Sequence, residues 1–138
     1  MKITTFNPQI VTKDPAAVIA LFEALGFQRT HNKVGNDDFV FSANRMKMPK
    51  EGEGAKSFYV DVVEAEGVPL EKDFTAIRMN VDDFDEAYQT LIDNGFRESK
   101  IVGTHFTSSS KFAYMVSPTG FAIDLVKHIK DHDKGLES

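Results

Sequence analysis

The strongest constraint on this chain is that it states one pattern twice. Asn7-Pro-Gln-Ile-Val-Thr-Lys-Asp14 leads into a helix-like segment closed by Gly26-Phe27. Ala76-Ile-Arg-Met-Asn-Val-Asp-Asp83 leads into another, closed by Gly95-Phe96. The offset is constant, since 83 − 14 = 95 − 26 = 96 − 27 = 69. A second echo sets Phe58-Tyr-Val-Asp61-Val-Val63 against Phe121-Ala-Ile-Asp124-Leu-Val126, at 124 − 61 = 63. Repetition of this kind implies two similar structural units, each ending in a strand with a central aspartate.

Local signals place the elements. Residues 2–12 read as a strand. Asp14-Pro15 opens a helix, because the Asp side chain caps free amides and Pro suits the first helical position. Val18, Leu21, Phe22 and Leu25 recur at helical spacing, and Gly26 supplies the left-handed stop. The second helix opens at Asp83, carries Phe84, Ala87, Tyr88, Leu91 and Ile92 as its apolar positions, and closes at Asn94-Gly95. Strands are expected over 27–33, 38–48 and 56–64, and again over 96–102, 112–117 and 121–127. Gly35-Asn36 and Ser117-Pro-Thr-Gly120 read as turns, residues 50–55 as a hairpin tip and Ser108–Ser110 as a loop. The expected fold is α+β, a single domain of two tandem βαβββ modules whose curved sheets surround a cup-shaped cavity. Module one spans 1–65, a linker 66–73, module two 74–128 and a polar tail 129–138.

Composition narrows the classes of function. No apolar run approaches the ~20 residues of a membrane span, and Met1-Lys-Ile-Thr-Thr-Phe lacks the apolar stretch of a secretion signal, so none is expected. The absence of Cys rules out disulfides and thiolate chemistry and suits a reducing compartment, so a cytoplasmic location is expected. A net charge of -5 argues against a nucleic-acid binder and mildly favours cationic or neutral ligands.

Strand alternation then assigns sides. Ile77, Met79 and Val81 form an apolar face for the second helix, which turns Ala76, Arg78 and Asn80 the other way. Phe58/Val60/Val62 and Phe121/Ile123/Leu125 cover the helices, so Tyr59, Asp61 and Val63 face inward, as do Ala122, Asp124 and Val126. The expected concave surface gathers Asn7, Gln9, Tyr59, Asp61, Arg78, Asn80 and Asp124. Two readings of its charges stand side by side. Arg78 pairs with one or both aspartates and merely holds the sheets in register, or the same groups orient a bound ligand.

The doubled order, Val11-Thr-Lys-Asp14, Leu25-Gly-Phe27, Asn94-Gly-Phe96 and Ser117-Pro-Thr-Gly-Phe-Ala-Ile-Asp-Leu125 together resemble the vicinal oxygen chelate superfamily. That group holds the glyoxalases, bleomycin-resistance proteins and extradiol dioxygenases, and the resemblance covers about residues 3–128. In its metal-dependent members a His precedes the helix-capping Asp by about seven residues, and a Glu lies midway along each module's last strand. Carried onto this chain, the resemblance puts Asn7 and Ala76 at the His positions and Asp61 and Asp124 at the Glu positions. Transition metals favour imidazole, so no metal and no cofactor are expected. A hard ion such as magnesium, held through oxygens and water, is the exception this set would tolerate.

Other residues carry weaker signals. His31 reads as a surface residue, His105 lies near an expected cavity mouth, and His128 and His132 read as capping the last strand. Met46 and Met48 alternate with Arg45 and Lys47, as an amphipathic edge strand, an apolar lip over a pocket or a dimer contact. The resemblance implies a protein that binds a small organic molecule in the cup without a catalytic metal, as bleomycin-resistance proteins do. The alternatives are a metal-dependent lyase or isomerase similar to lactoylglutathione lyase, or an oxygenase using one iron. A homodimer is expected, because an exposed sheet edge and an open cup both need covering.

Overall fold

The computed structural model describes residues 1–34, 40–49, 57–66, 70–106 and 110–129. The turn at Gly35-Asn36, the tip at 50–55, most of the Ser108–Ser110 loop, the centre of the linker and the tail with His132 lie outside them. The elements run β1 (Ile3–Thr12), α1 (Pro15–Ala24), β2 (Gln28–Val34), β3 (Val40–Met48) and β4 (Phe58–Glu66). They continue β5 (Phe74–Val81), α2 (Phe84–Asp93), β6 (Arg97–Glu98), β7 (Thr104–Phe106), β8 (Ser110–Val116) and β9 (Ala122–His128). The chain divides into two compact units, Asn7–Thr75 and Met1–Phe6 with Ala76–Ser138. No helix of the described residues is long and apolar enough to cross a membrane.

In the first unit the strand order is β2-β3-β4-β1. β2/β3 and β3/β4 are antiparallel and β4/β1 is parallel. Asp14 caps α1 by accepting from Ala17 N at 3.2 Å, and Thr12 Oγ1 in turn accepts from Asp14 N at 3.0 Å. The helix packs on Met46, Val60 and Val62 through Ile19, with Val18 and Phe22 beside it. Leu21 and Leu25, expected on the buried side, are 56% and 60% exposed. The helix is apolar almost all round, so periodicity alone admitted two faces. The sheet chose the one centred on Ile19.

In the second unit β5 pairs parallel with β9, β9 antiparallel with β8, and β8 antiparallel with both β6 and β7. Asp83 caps α2 through Glu86 N at 3.0 Å. Phe84 and Ala87 are buried against Met79, Val81, Ala113, Met115, Ile123 and Leu125, as the alternation of β5 and β9 predicts. The start of β1 belongs here, with Asp82 N donating to Lys2 O at 3.2 Å and Lys2 N to Asp82 Oδ1 at 2.6 Å.

One expected strand is broken. Within residues 96–102 only Arg97 and Glu98 form strand. Ser99 Oγ then accepts from Ile101 N and Val102 N at 3.2 and 3.3 Å, and Gly103 takes φ +71. A side chain that satisfies backbone amides offers them an alternative to the ladder. Both helices end alike. Gly26 N bonds Glu23 O and Phe27 N bonds Phe22 O, while Gly95 N bonds Ile92 O and Phe96 N bonds Leu91 O. This is the paired closure that a left-handed glycine permits. Ser117 holds the last turn by accepting from the amides of Thr119, Gly120 and Phe121 at 3.2, 2.9 and 3.0 Å.

Candidate functional site

Each sheet has one face on its helix and one face away from it, here the far face. In the first unit the far face is assembled by register. Gln9 lies beside Asp61 across the parallel pair, and Arg45 lies opposite Asp61 across the antiparallel pair. Asp61 is thus central in its row and only 1% exposed. A carboxylate so placed requires donors. Arg45 Nε donates to Oδ1 at 3.0 Å and Nη2 to Oδ2 at 3.3 Å, and Asn7 Nδ2 donates to Oδ2 at 2.7 Å. The Arg45 guanidinium also lies over the Tyr59 ring, 5.2 Å from its centroid, a cation–π contact that holds its plane.

In the second unit Arg78 and Tyr114 flank Asp124 on either side, as register neighbours from β5 and β8. Asp124, Asn80 and Tyr114 are buried. Arg78 Nε donates to Asn80 Oδ1 at 3.2 Å, which fixes the orientation of that amide. Its nitrogen therefore faces His128 Nε2, 3.1 Å away. An amide nitrogen can only donate, so Nε2 accepts and the ring proton sits on Nδ1.

The seven expected residues divide between the units. Asn7, Gln9, Tyr59 and Asp61 share the far face of the first, and Arg78, Asn80 and Asp124 that of the second. The side assigned to each by alternation agrees with the pairing. Asp61 takes a guanidinium from Arg45, and Arg78 stands beside Asp124 in register. Met46 is fully buried under α1 and β3 is an interior strand of its unit, so the lip and edge readings of Met46 and Met48 give way to a core role for Met46. His31 lies on β2 and His105 on β7, opposite Phe112. His128 ends β9 and contributes to the far face instead of capping the strand.

Arg45, Tyr114 and His128 were missed from the sequence. The signal for Arg45 was its position between the core residues of an alternating strand. It also stands at the repeat offset from Tyr114, since 114 − 45 = 69. What the sequence lacked was the register of β3 on β4, which alone puts Arg45 across from Asp61.

In the metal-dependent members that the chain resembles, the ion's ligands stand at the positions of Asn7 and Asp61 in one unit and of Ala76 and Asp124 in the other, and Asn7, Asp61 and Ala76 do not fit that role. Ala76 offers a methyl group. Asn7 turns its amide nitrogen, not its oxygen, toward Asp61, and the reverse orientation would set two acceptors 2.7 Å apart. Both Asp61 oxygens already receive N–H donors, two of them from a cation. Among the described residues no group of three or more His, Asp or Glu is placed to hold a metal ion.

Residues 3–133 match the family model described as the Glyoxalase/Bleomycin resistance protein/Dioxygenase superfamily. A search of the curated proteins finds no match. Among solved structures, methylmalonyl-CoA epimerase in complex with methylmalonyl-CoA and NH4+ is 18% identical with a TM-score of 0.62, covering 91% of this chain and 95% of that one. A single-residue variant of the Streptomyces coelicolor methylmalonyl-CoA epimerase, in complex with 2-nitronate-propionyl-CoA, is 18% identical with a TM-score of 0.64, covering 94% and 100%. The epimerase from Mycobacterium tuberculosis is 17% identical with a TM-score of 0.62, covering 96% and 93%. At these identities the likeness is one of fold.

Proposed function

Because the chain belongs to the glyoxalase/bleomycin resistance protein/dioxygenase superfamily, we propose that it binds a small organic molecule without a transition metal ion. The proposed ligand-binding groups are Asn7, Gln9, Tyr59 and Asp61 on one far face and Arg78, Asn80 and Asp124 on the other. The observation that carries the reading is the Arg45–Asp61 pair. A carboxylate at the family's metal-ligand position is bound through both oxygens by a guanidinium and an amide. Displacing Arg45 for a cation would leave a buried network half satisfied, which costs more than the network itself contributes. The acyl-CoA molecules held by the similar epimerases support an organic ligand for this chain as well. A homodimer is part of the same proposal, and sizing chromatography that gives a monomer at micromolar concentration refutes it.

A metal-dependent lyase or isomerase is the second reading, favoured by the carboxylates retained at Asp61 and Asp124. The two are separated by a thermal-shift screen of small organic molecules, run in EDTA and again with zinc, nickel or magnesium. The proposal expects stabilisation by at least one compound in EDTA. Stabilisation that requires a stoichiometric divalent ion, and is lost in Asp124→Ala, sinks it.

A further inference from the structure

We infer that the far face of the first unit recognises an organic carboxylate, with the outer edge of the Arg45 guanidinium as the group that meets it. This deepens the metal-free binding reading and rests on it. Whole-chain charge points elsewhere, since a net charge of -5 favours cationic or neutral partners. Local charge decides the matter. The charged groups among the described side chains of this face are Arg45 and Lys47 on β3 and Asp61 on β4, a surplus of one positive charge. Asp61 is 1% exposed and already bound by Arg45, whereas the Arg45 side chain is 24% exposed.

Guanidinium chemistry supplies the rest. Its planar fork carries five N–H groups. Asp61 uses Nε and one hydrogen of Nη2, and among the described residues Nη1 makes no hydrogen bond. The unused edge is therefore planar, charged and aimed away from Asp61, which suits two parallel bonds to a second carboxylate. The Tyr59 ring beneath it, 5.2 Å from the guanidinium carbon, keeps that edge from swinging. Lys47, two residues along the same face and opposite Tyr59 in register, adds a point charge on the ligand's approach. A cation would meet Arg45 and Lys47 first and be repelled.

The test uses the full chain in EDTA at constant ionic strength. The Arg45 Nε–H and Tyr59 ring resonances are followed by NMR during titration with malonate, inorganic phosphate and tetramethylammonium. Malonate should shift both signals saturably and bind more tightly than phosphate, and tetramethylammonium should leave them in place. Lys47→Gln, on a partly exposed position that leaves the Asp61 network intact, should weaken malonate about threefold. Arg45→Lys keeps the charge but loses the fork, and should weaken it about tenfold. A malonate response no larger than that of chloride, or one unchanged in both variants, overturns the inference. So does tighter binding of phosphate or of tetramethylammonium. Organic ligands that bind in EDTA while carboxylates do not would overturn this inference alone. Binding seen only with an added divalent ion would overturn the underlying reading as well.

Discussion

Arg45 and Asp61 stand directly across from one another on β3 and β4, and the guanidinium holds both carboxylate oxygens, at 3.0 and 3.3 Å. The repeat sets Tyr114 opposite Asp124 at the equivalent place. Gln9 and Arg78 are equivalent too, since 78 − 9 = 69, and each lies beside its aspartate on the other side. Each central carboxylate thus has an arginine on one flank. In the first unit it comes from the antiparallel neighbour, in the second from the parallel one. The duplication preserved the carboxylate row and exchanged its partners.

Removing Arg45 should therefore be strongly destabilising. Arg45→Met leaves the Asp61 carboxylate buried without its guanidinium, and should cost about 2–4 kcal/mol. Asp61→Leu in the same chain should restore part of that loss, because an apolar pair needs no donors. Urea denaturation reads both. A single variant within about 0.5 kcal/mol of the parent, the range of ordinary surface changes, would show that the pair does not hold the sheet.

When neutral, the His128 ring should carry its proton on Nδ1. Arg78 claims the Asn80 oxygen, so the amide nitrogen must donate to Nε2. Nitrogen-15 shifts, measured well above the usual imidazole range, should report that tautomer, and Arg78→Met should release the preference. A ring protonated on Nε2 in the parent protein would mean that the Asn80 amide is reversed.

Tyr88 should titrate late. Its hydroxyl donates to Glu98 Oε2 at 2.7 Å, and Thr104 donates to the other oxygen. The bond to Glu98, then burial, then the charge of Glu98 push the Tyr88 phenol up to about 12 from 10.0. The pKa is raised on folding, so the stabilisation is fully present below pH 10.0 and is lost as pH climbs through about 12. Phenolate absorbance should show one of the three tyrosines ionising near pH 12, a step absent from Tyr88→Phe. A step that stays near pH 12 in Glu98→Gln would rule out the Glu98 bond as its cause.

The two helix-closing glycines should respond unequally to alanine. Gly26 and Gly95 have φ +105 and +90, a conformation that costs an L residue about 1–2 kcal/mol. A Cβ on Gly26 meets nothing closer than Met48 Cε at 3.7 Å, whereas one on Gly95 would come 2.7 Å from Pro118 Cγ. Gly95→Ala should therefore lose at least about 1 kcal/mol more than Gly26→Ala. Equal melting temperatures would show that the Pro118 turn yields freely.

Several features were legible because they depend on neighbours in sequence. Asp14 and Asp83 cap the next turn of their own helices, and the closing glycines act within one turn. The sides of β1, β4, β5 and β9 followed from two-residue alternation, which placed Asn7, Gln9, Asp61, Arg78 and Asp124 on far faces. Where the local signal was degenerate, the reading failed. The apolar surface of α1 offered Leu21 and Leu25 as readily as Ile19, and Ser99 diverted a stretch that read as continuous strand.

By itself the sequence determined the doubled order of strand, helix and following strands and the two helix ends, because each is written in residue type and short spacing. Only the tertiary structure decided which cation meets which carboxylate. That choice depends on the registers of β3 on β4 and of β5 on β9, and a register is a relation between segments far apart in the chain. The energy that sets it is burial of Met46, Val60 and Val62 under α1 and of Met79, Ile123 and Leu125 under α2. Packing on the helix side aligned the strands, and the charges on the far side met where that alignment put them.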